Sequence, residues 1–327
     1  MNPPMKLRNY LRTLGLLVLA SAASAVAQEK TPGAGNEATR PRPAVGARRV
    51  PQLADSQVSK IERDVTYGKV GDVELKLDIY HPKNGSAKSR PVAVYVHGGG
   101  WTQGSKASGA GMVALPELLQ RGYLVASIDY RLAPEFKFPA QIEDAKCAVR
   151  FLRAHAKEYD LDPTRIGVFG GSAGGHLVAL LGTADASAGF DTSGGWTNQS
   201  SRAQAVVDLF GPADLTLGVG GANPRLGENV FGAKSRDDEV LKRASPVTYA
   251  TLDDPPFLIL HGDQDRVVPL AQSERLLAVL KKSGVPATLV VVTNAGHSFA
   301  PAGGTPNPDR KEIGKIIADF FDKTLRK

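Results

Sequence analysis

Apolar residues fall into two recurring patterns from about residue 57 onward. Val73, Leu75, Leu77 and Ile79 alternate with polar residues, which predicts an amphipathic strand. Six continuous apolar runs then follow, and such runs are typical of strands buried on both faces of a parallel sheet. They span residues 92–96, 123–126, 166–169, 205–207, 257–260 and 288–292.

Between these runs the apolar residues are spaced by three and four, which predicts helices. The predicted helices span residues 109–121, 139–157, 174–183, 270–283 and 309–325. The alternation of strands and helices predicts an α/β fold with a doubly wound, mostly parallel sheet of about eight strands. Residues 184–203 and 211–245 do not fit either pattern. We expect the second segment to lie over the carboxyl edge of the sheet as a small lid.

The N-terminal part of the chain has the pattern of a cleaved signal peptide followed by a linker. A basic start, an apolar run at Leu14–Ala20 and the small-residue pattern Ala25-Val26-Ala27 predict a signal peptide over residues 1–27. The apolar run is too short for a stable membrane anchor. Residues 28–56 are rich in Pro, Gly and Arg and predict a flexible linker. We therefore expect an exported protein, periplasmic or secreted, with its catalytic domain over residues 57–327.

Composition changes this picture little. Of the 327 residues 42% are hydrophobic, which favours a globular domain. The formal net charge is +7, but most of it lies in the first 50 residues, so a nucleic-acid-binding face is not expected. The single cysteine, Cys147, excludes a disulfide within the chain and a cysteine-only metal site. Its apolar helical surroundings predict a buried, inert thiol.

A candidate nucleophile follows the strand predicted at 166–169. Gly170-Gly171-Ser172-Ala173-Gly174 fits G-x-S-x-G and leads directly into a predicted helix. This strand–turn–helix arrangement is a nucleophile elbow, in which small neighbours let strand and helix approach while the serine hydroxyl projects over the sheet edge. A glycine-rich turn or an anion-binding loop is the alternative interpretation.

A second glycine motif follows the strand predicted at 92–96. His97-Gly98-Gly99-Gly100-Trp101 can turn several backbone N–H groups toward one point, as stabilisation of a tetrahedral oxyanion requires. We assign the oxyanion hole to Gly99, Gly100 and Ala173, and expect His97 to order the loop. A phosphate-binding turn is less consistent, because no Lys or helix-starting Ser/Thr completes it.

Two late motifs supply a base and an acid. The strand at 257–260 leads into Asp263-Gln264-Asp265, and the strand at 288–292 leads into a loop that carries His297. The order Ser172, Asp265, His297 is that of α/β-hydrolases, so we predict this catalytic triad.

Other residues of the same types are alternatives for these roles. Asp263 competes with Asp265 for the role of the triad acid, and Asp208 and Asp214 are further alternatives for it. Of the six histidines, we expect His155 to face solvent, His176 to be packed behind the elbow and His261 to brace a turn; like His81, none of them lies on a loop after the last strand, as His297 does.

These motifs together resemble the hormone-sensitive-lipase-like and feruloyl/acetyl-esterase-like α/β-hydrolases. The resemblance is carried by His97–Trp101, Asp129–Glu135, Gly170–His176, Ser245–Tyr249 and Pro255–Gly262, and covers about residues 60–325. It implies the triad and oxyanion hole named above, and no metal or organic cofactor. It also implies that Asp129, Arg131 and Glu135 tie the loop after a strand to the oxyanion turn. Only residues 51–62 are left to form an N-terminal cap.

The function predicted on these grounds is a serine carboxylesterase. We expect short-chain, aryl or carbohydrate-linked esters as substrates, with Trp101 and Trp196 as candidate platforms for an acyl or sugar group. Arylformamidase or another amide hydrolase, including a prolyl-oligopeptidase-like peptidase, is the first alternative. A non-catalytic binding protein on the same fold is the second.

Overall fold

The computed structural model describes residues 57–84, 89–218 and 225–326, and these form one eight-stranded sheet covered by helices on both faces. The strand order is β1-β2-β4-β3-β5-β6-β7-β8. The β1–β2 and β2–β4 pairs are antiparallel, and the five other neighbouring pairs, from β4–β3 to β7–β8, are parallel. The strands are β1 Val58–Val70, β2 Val73–Pro82, β3 Arg90–Val96, β4 Leu124–Ile128, β5 Leu161–Gly171, β6 Ala205–Leu209, β7 Phe257–Gly262 and β8 Ala287–Val292.

Two apolar layers hold helices against the two faces of the sheet. The helices are α1 Leu115–Gln120, α2 Ala140–Ala154, α3 Ala173–Thr183, α4 Glu239–Arg243, α5 Ala271–Lys282 and α6 Arg310–Leu325. One layer contains Ile142, Leu177 and Leu276, from α2, α3 and α5. The other contains Leu118 and Phe321, from α1 and α6. Central strands are therefore buried on both sides, which explains their continuous apolar runs.

The predicted fold class is confirmed, and every predicted strand and helix is present. The edge strand β1 was not predicted. Its first residues belong to the segment 51–62, which was expected to form an N-terminal cap if one is present. Its side chains are mostly half-buried or exposed, and its pairing with β2 has three register shifts, so no clean alternation of polar and apolar residues survives.

The two irregular segments are ordered by different contacts. In segment 184–203, Asp191 accepts hydrogen bonds from the buried cations Lys146 and Arg150 of α2, at 2.8 and 2.9 Å. Segment 211–245 contains three short helical turns in its described part, and Val230 and Phe231 bury against the core. The second segment thereby covers part of the carboxyl edge.

The predicted signal peptide (1–27) and linker (28–56) lie outside the described residues. Both stay predictions, as does export, and N-terminal sequencing of the mature protein would test them. Within the described ranges, none of the helices combines the length and apolar character that crossing a bilayer would need.

Candidate active site

Ser172 lies at a sharp turn between β5 and α3. Its backbone has φ 57° and ψ −120°, a combination that non-glycine residues rarely adopt. Hydrogen bonds hold this strained residue: its N–H donates to the Leu209 carbonyl, and its own carbonyl accepts from the His176 N–H, both at 2.9 Å. The hydroxyl is thereby presented at the carboxyl edge of the sheet, directly before the N-terminus of α3.

Glycines permit the close approaches around this turn. A Cβ on Gly174 would lie 2.1 Å from the Val96 carbonyl oxygen, and one on Gly98 would lie 2.6 Å from the Gly171 carbonyl oxygen. The elbow and the glycine motif after β3 therefore touch through backbone atoms, which no larger residue would allow.

The structure brings Ser172, His297 and Asp265 into one hydrogen-bonded chain. His297 Nε2 lies 3.0 Å from Ser172 Oγ, and His297 Nδ1 lies 2.7 Å from Asp265 Oδ2. A nucleophile, a base and a residue that orients the base are thus within hydrogen-bond reach, as a Ser–His–Asp triad requires.

Asp265 is a buried carboxylate held by several donors. Its Oδ1 accepts hydrogen bonds from the N–H groups of Val267 and Val268, at 2.8 and 2.9 Å. Burial would raise the pKa of Asp265, but interactions with His261 and His297 and the Val268 N–H hold that pKa well below its usual value. The carboxylate therefore stays charged and favours the imidazole tautomer with its proton on Nδ1.

The glycine motif places backbone amides beside the serine. Gly99 and Gly100 both have positive φ, at 122° and 60°, which turns their N–H groups away from the strand direction. Within the described part of the chain, no acceptor is bonded to the N–H groups of Gly99, Gly100 or Ala173. Three free amides at the end of β3 and the start of α3 make the predicted site suitable for an oxyanion.

Aromatic side chains and imidazoles fix the glycine motif in place. The Trp101 indole N–H donates to His176 Nδ1 at 3.2 Å, and the ring packs against Phe231. His97 stacks on Tyr130 with ring centroids 4.2 Å apart and contacts the Gly98 carbonyl through Nδ1. His97 thus orders the loop, as predicted.

Neither tryptophan forms the predicted platform beside the triad. Trp101 is buried in the packing just described. Trp196 is 38% exposed, but it contacts Phe151 and His155 of the α2 region and donates to the Tyr67 carbonyl. The contacts of both side chains are structural.

Asp129, Arg131 and Glu135 were expected to tie the loop after a strand to the oxyanion turn, but they make different contacts. Asp129 accepts a hydrogen bond from the Lys106 N–H at 2.6 Å and so ties its loop to the segment after the glycine motif. Arg131 instead pairs with Asp144 of α2 at 2.8 Å, and Glu135 is exposed. Only Asp129 matches the expected role.

The competing acids make other contacts. Asp263 accepts from the Ala295 N–H at 3.2 Å, which joins the two loops that carry Asp265 and His297. Asp214 accepts from the N–H and hydroxyl of Thr216.

The remaining histidines are structural. His176 is buried, and burial lowers its pKa to about 4. His261 contacts Ser273 Oγ and the Val268 carbonyl at 2.7 and 2.8 Å, so the predicted bracing is confirmed. The prediction for His155 was wrong, because its ring packs on Phe151.

Cys147 is buried as predicted, and burial raises the pKa of its thiol to about 11. Among the described residues, no three His, Cys, Asp or Glu side chains are grouped in a way that could hold a metal ion.

Phe210 is a site residue that the sequence did not indicate. It has φ 46°, and its ring meets the His297 ring edge-on, with centroids 4.9 Å apart. It also packs against Phe299. This aromatic wall fixes the plane of the imidazole. A single phenylalanine after an apolar strand carries no pattern that would have revealed this contact.

Asp208 is a fully buried carboxyl group behind the elbow. Its Oδ1 accepts from the Gly211 N–H at 2.8 Å, whereas Oδ2 has no hydrogen-bond partner among the described residues. Burial raises the pKa of this carboxyl group from its ordinary value of 3.8 to about 6. The folded state therefore binds a proton here more tightly than the unfolded chain does.

This difference predicts a pH effect on stability. The contribution from the Asp208 proton should be fully present below about pH 4 and lost as pH rises through about 6, a change of about 3 kcal/mol if no other group compensates. In Asp208→Asn this dependence should vanish. Denaturant unfolding of both proteins at pH 4 to 7 measures it: the difference in unfolding free energy should shift in favour of the variant with rising pH. Parallel curves would contradict the assignment.

The fold and the arrangement of the site together define an α/β-hydrolase with a Ser–His–Asp constellation. The family model BD-FAE matches residues 77–280, which is more than half of the chain. The chain therefore belongs to the BD-FAE family of α/β-hydrolases.

Individual relatives agree with this. Esterase LipC of Mycobacterium tuberculosis (strain ATCC 25618 / H37Rv) is 35% identical over 254 residues, which are 72% of this chain and 59% of LipC. A truncated carbohydrate esterase from gut microbiota is 30% identical with a TM-score of 0.72, covering 84% of this chain and 99% of that one. Butyrate-bound esterase Est2 of Thermogutta terrifontis is 30% identical with a TM-score of 0.66, covering 80% and 93%. The chain thus spans about three fifths of the length of LipC.

Proposed function

We propose that this protein is a serine carboxylesterase that hydrolyses short-chain or aryl- and carbohydrate-linked esters through an acyl-enzyme. The observation that carries the proposal is the chain of contacts from Asp265 through His297 to Ser172 Oγ, next to free amides of Gly99, Gly100 and Ala173. The names of the relatives support ester substrates.

The proposed ester hydrolysis proceeds in two stages, formation of an acyl-enzyme and its hydrolysis. Ser172 Oγ attacks the ester carbonyl carbon while its proton passes to His297 Nε2. The carbonyl oxygen becomes an oxyanion and accepts hydrogen bonds from the free amides. When the tetrahedral intermediate collapses, Nε2 gives its proton to the leaving alcohol, and the acyl group stays on Ser172. Water then attacks the acyl-enzyme and gives a proton to His297 Nε2; the bond to Ser172 Oγ breaks, Nε2 returns the proton to Oγ, and the carboxylic acid is released.

The charge on His297 is balanced during these steps. The imidazolium forms beside the Asp265 carboxylate, which hydrogen bonds keep ionised. Because this anion is fixed before the reaction starts, little reorganisation accompanies proton transfer.

The finer substrate class is proposed on two grounds. Within the described residues, the segment after β6 forms only short helical turns, so the cover over the site is small. The solved neighbours include a carbohydrate esterase and an esterase with butyrate bound. We expect acetyl and butyryl esters to be hydrolysed faster than long-chain ones.

Labelling with a fluorophosphonate probe tests the nucleophile. Wild type is expected to react, and Ser172→Ala to lose all labelling, because the probe forms a covalent bond only with an activated hydroxyl. Ser187→Ala is a matched control, since among the described residues the Ser187 hydroxyl is hydrogen-bonded to Asp185 alone. A panel of p-nitrophenyl acetate, butyrate and decanoate, acetylated xylan, methyl ferulate and N-formylkynurenine then assigns the substrate class. Unlabelled wild type, or turnover of the formamide alone, would refute the proposal.

A further inference from the structure

A cleft opens directly beside the imidazole of His297. Its volume is about 650 Å³. It is lined by Gln264, Arg266, Val267, Asn294, His297, Ala302 and Gly303. None of these described lining residues is acidic, and Arg266 carries a full positive charge. We call this space the histidine cleft.

The histidine cleft has ordered walls. One wall is the turn after β7, in which the N–H groups of Val267 and Val268 bond to the Asp265 carboxylate. The other wall is the loop after β8, and the Gln264 N–H donates to the Ala295 carbonyl at 2.9 Å to join the two. Arg266 lies in the chain between Asp265 and Val267, whose N–H donates to the Asp265 carboxylate at 2.8 Å, so its backbone is held within this turn.

Arg266 is exposed and unpaired. Within the described part of the chain its guanidinium makes no ion pair or hydrogen bond, unlike Arg131, Arg150 and Arg275, which all contact carboxylates. An arginine presents a planar fork of donors that matches a carboxylate.

The proposed reaction brings the alcohol portion of the ester close to this cleft, because the base His297 is one of its lining residues. The leaving oxygen has to lie within hydrogen-bond reach of His297 Nε2 to receive its proton. The oxyanion amides are supplied by the glycine motif and the start of α3, whereas the histidine cleft is built from the loops after β7 and β8. A group attached to the leaving oxygen can therefore reach Arg266, which lines the same cleft as the imidazole.

We propose that Arg266 makes the enzyme selective for esters whose alcohol portion carries an anionic group such as a carboxylate. This inference rests on the proposed esterase function and adds the charge of the leaving group. Arg266 is a specificity residue in this account, since it acts on binding of the substrate and takes no part in bond breaking.

Two probes that differ only in charge test the proposal: 3-acetoxybenzoate and the neutral 3-acetoxybenzamide. For each variant, kcat/KM for the benzoate is divided by that for the benzamide, so that intrinsic reactivity and the amount of folded site cancel. We expect this ratio to fall about 10-fold in Arg266→Gln and further in Arg266→Glu, mainly through KM, and to be largely kept in Arg266→Lys.

Lys234→Gln supplies a matched control. Lys234 is an exposed cation on a different cleft, lined by Leu217 and Glu228, and its removal changes the net charge by the same amount. Its ratio should stay within about 2-fold of wild type, because Lys234 does not line the histidine cleft and solvent screens exposed charges that make no direct contact.

The outcomes separate the two proposals. Hydrolysis of the benzamide with a ratio that stays the same in Arg266→Gln and Arg266→Glu would overturn the role of Arg266 and leave the esterase proposal standing. An equal fall of the ratio in Lys234→Gln would also overturn it, because the overall positive charge of the protein would then explain the preference for the anionic substrate. If wild type hydrolysed neither acetate, the esterase proposal and this inference would both be refuted.

Discussion

Replacing His297 by alanine is expected to lower kcat for p-nitrophenyl acetate by roughly 10⁶-fold. Removing either the nucleophile or the base of a Ser–His–Asp triad typically costs this much, because the serine hydroxyl cannot lose its proton to any other group. In this protein Nε2 of His297 is 3.0 Å from Ser172 Oγ. Steady-state kinetics of the purified variant measure the loss.

The double variant tests whether the two residues act as a unit. Ser172→Ala combined with His297→Ala should be no slower than either single variant, since each already abolishes the same step. Asp265→Asn should lose about 10⁴-fold, because an amide favours the wrong imidazole tautomer. His81→Ala, which removes a contact to Glu62 on the edge strand, is the control and should stay close to wild type. Additive losses, or a His297→Ala variant with more than about a tenth of wild-type kcat, would contradict the assignment.

Gly174→Ala is expected to abolish most activity and to destabilise the fold. Alanine is preferred over glycine in helices by about 1 kcal/mol, so propensity alone predicts a gain at this helical position. The new Cβ, however, would lie 2.1 Å from the Val96 carbonyl and 2.7 Å from that of His97. Because both atoms are backbone, α3 has to move away from β3, and overpacking of this kind costs about 1–3 kcal/mol.

The movement would also separate the two halves of the candidate oxyanion hole. Ala173 lies on α3, while Gly99 and Gly100 follow β3, so we expect kcat to fall roughly 100- to 1000-fold. Kinetics together with thermal unfolding measure both effects. Gly227→Ala is the control, because its nearest heavy atom would be 3.9 Å away, and its stability should change by about 0.5 kcal/mol or less. A Gly174→Ala variant with wild-type kcat and melting temperature would show that the elbow can relax.

Much of the fold was predictable because burial leaves a local signature. A strand covered on both faces needs apolar residues at successive positions, and β3, β5 and β7 all showed this run. The run at 288–292 also marked a strand correctly, but its expected burial on both faces was wrong: β8 is an edge strand whose side chains are mostly half-buried or exposed. The edge strand β1 lacks such a run, because its pairing with β2 has three register shifts and its charged side chains reach solvent.

The candidate site was predictable where backbone geometry demands particular residues. Close approach at the elbow and in the glycine motif requires glycine, and the triad order along the chain marks the loops after β7 and β8. Asp263 and Asp265 are only two residues apart in one turn, so the sequence carries no local physical signal that tells which of them contacts the imidazole. The structure shows that Asp263 bonds to a loop amide and Asp265 to His297.

By itself, the sequence determined which segments become strands and helices, where the chain turns tightly, and which side chains are chemically able to form the site. Only the tertiary structure decided which atoms meet: it packs Phe210 against His297, and among the residues it describes it leaves one oxygen of Asp208 behind the elbow, and Arg266 in the histidine cleft, without a partner. The physical reason is that residue type and spacing report how a segment is buried, whereas contacts between distant residues depend on how packed layers place them in three dimensions.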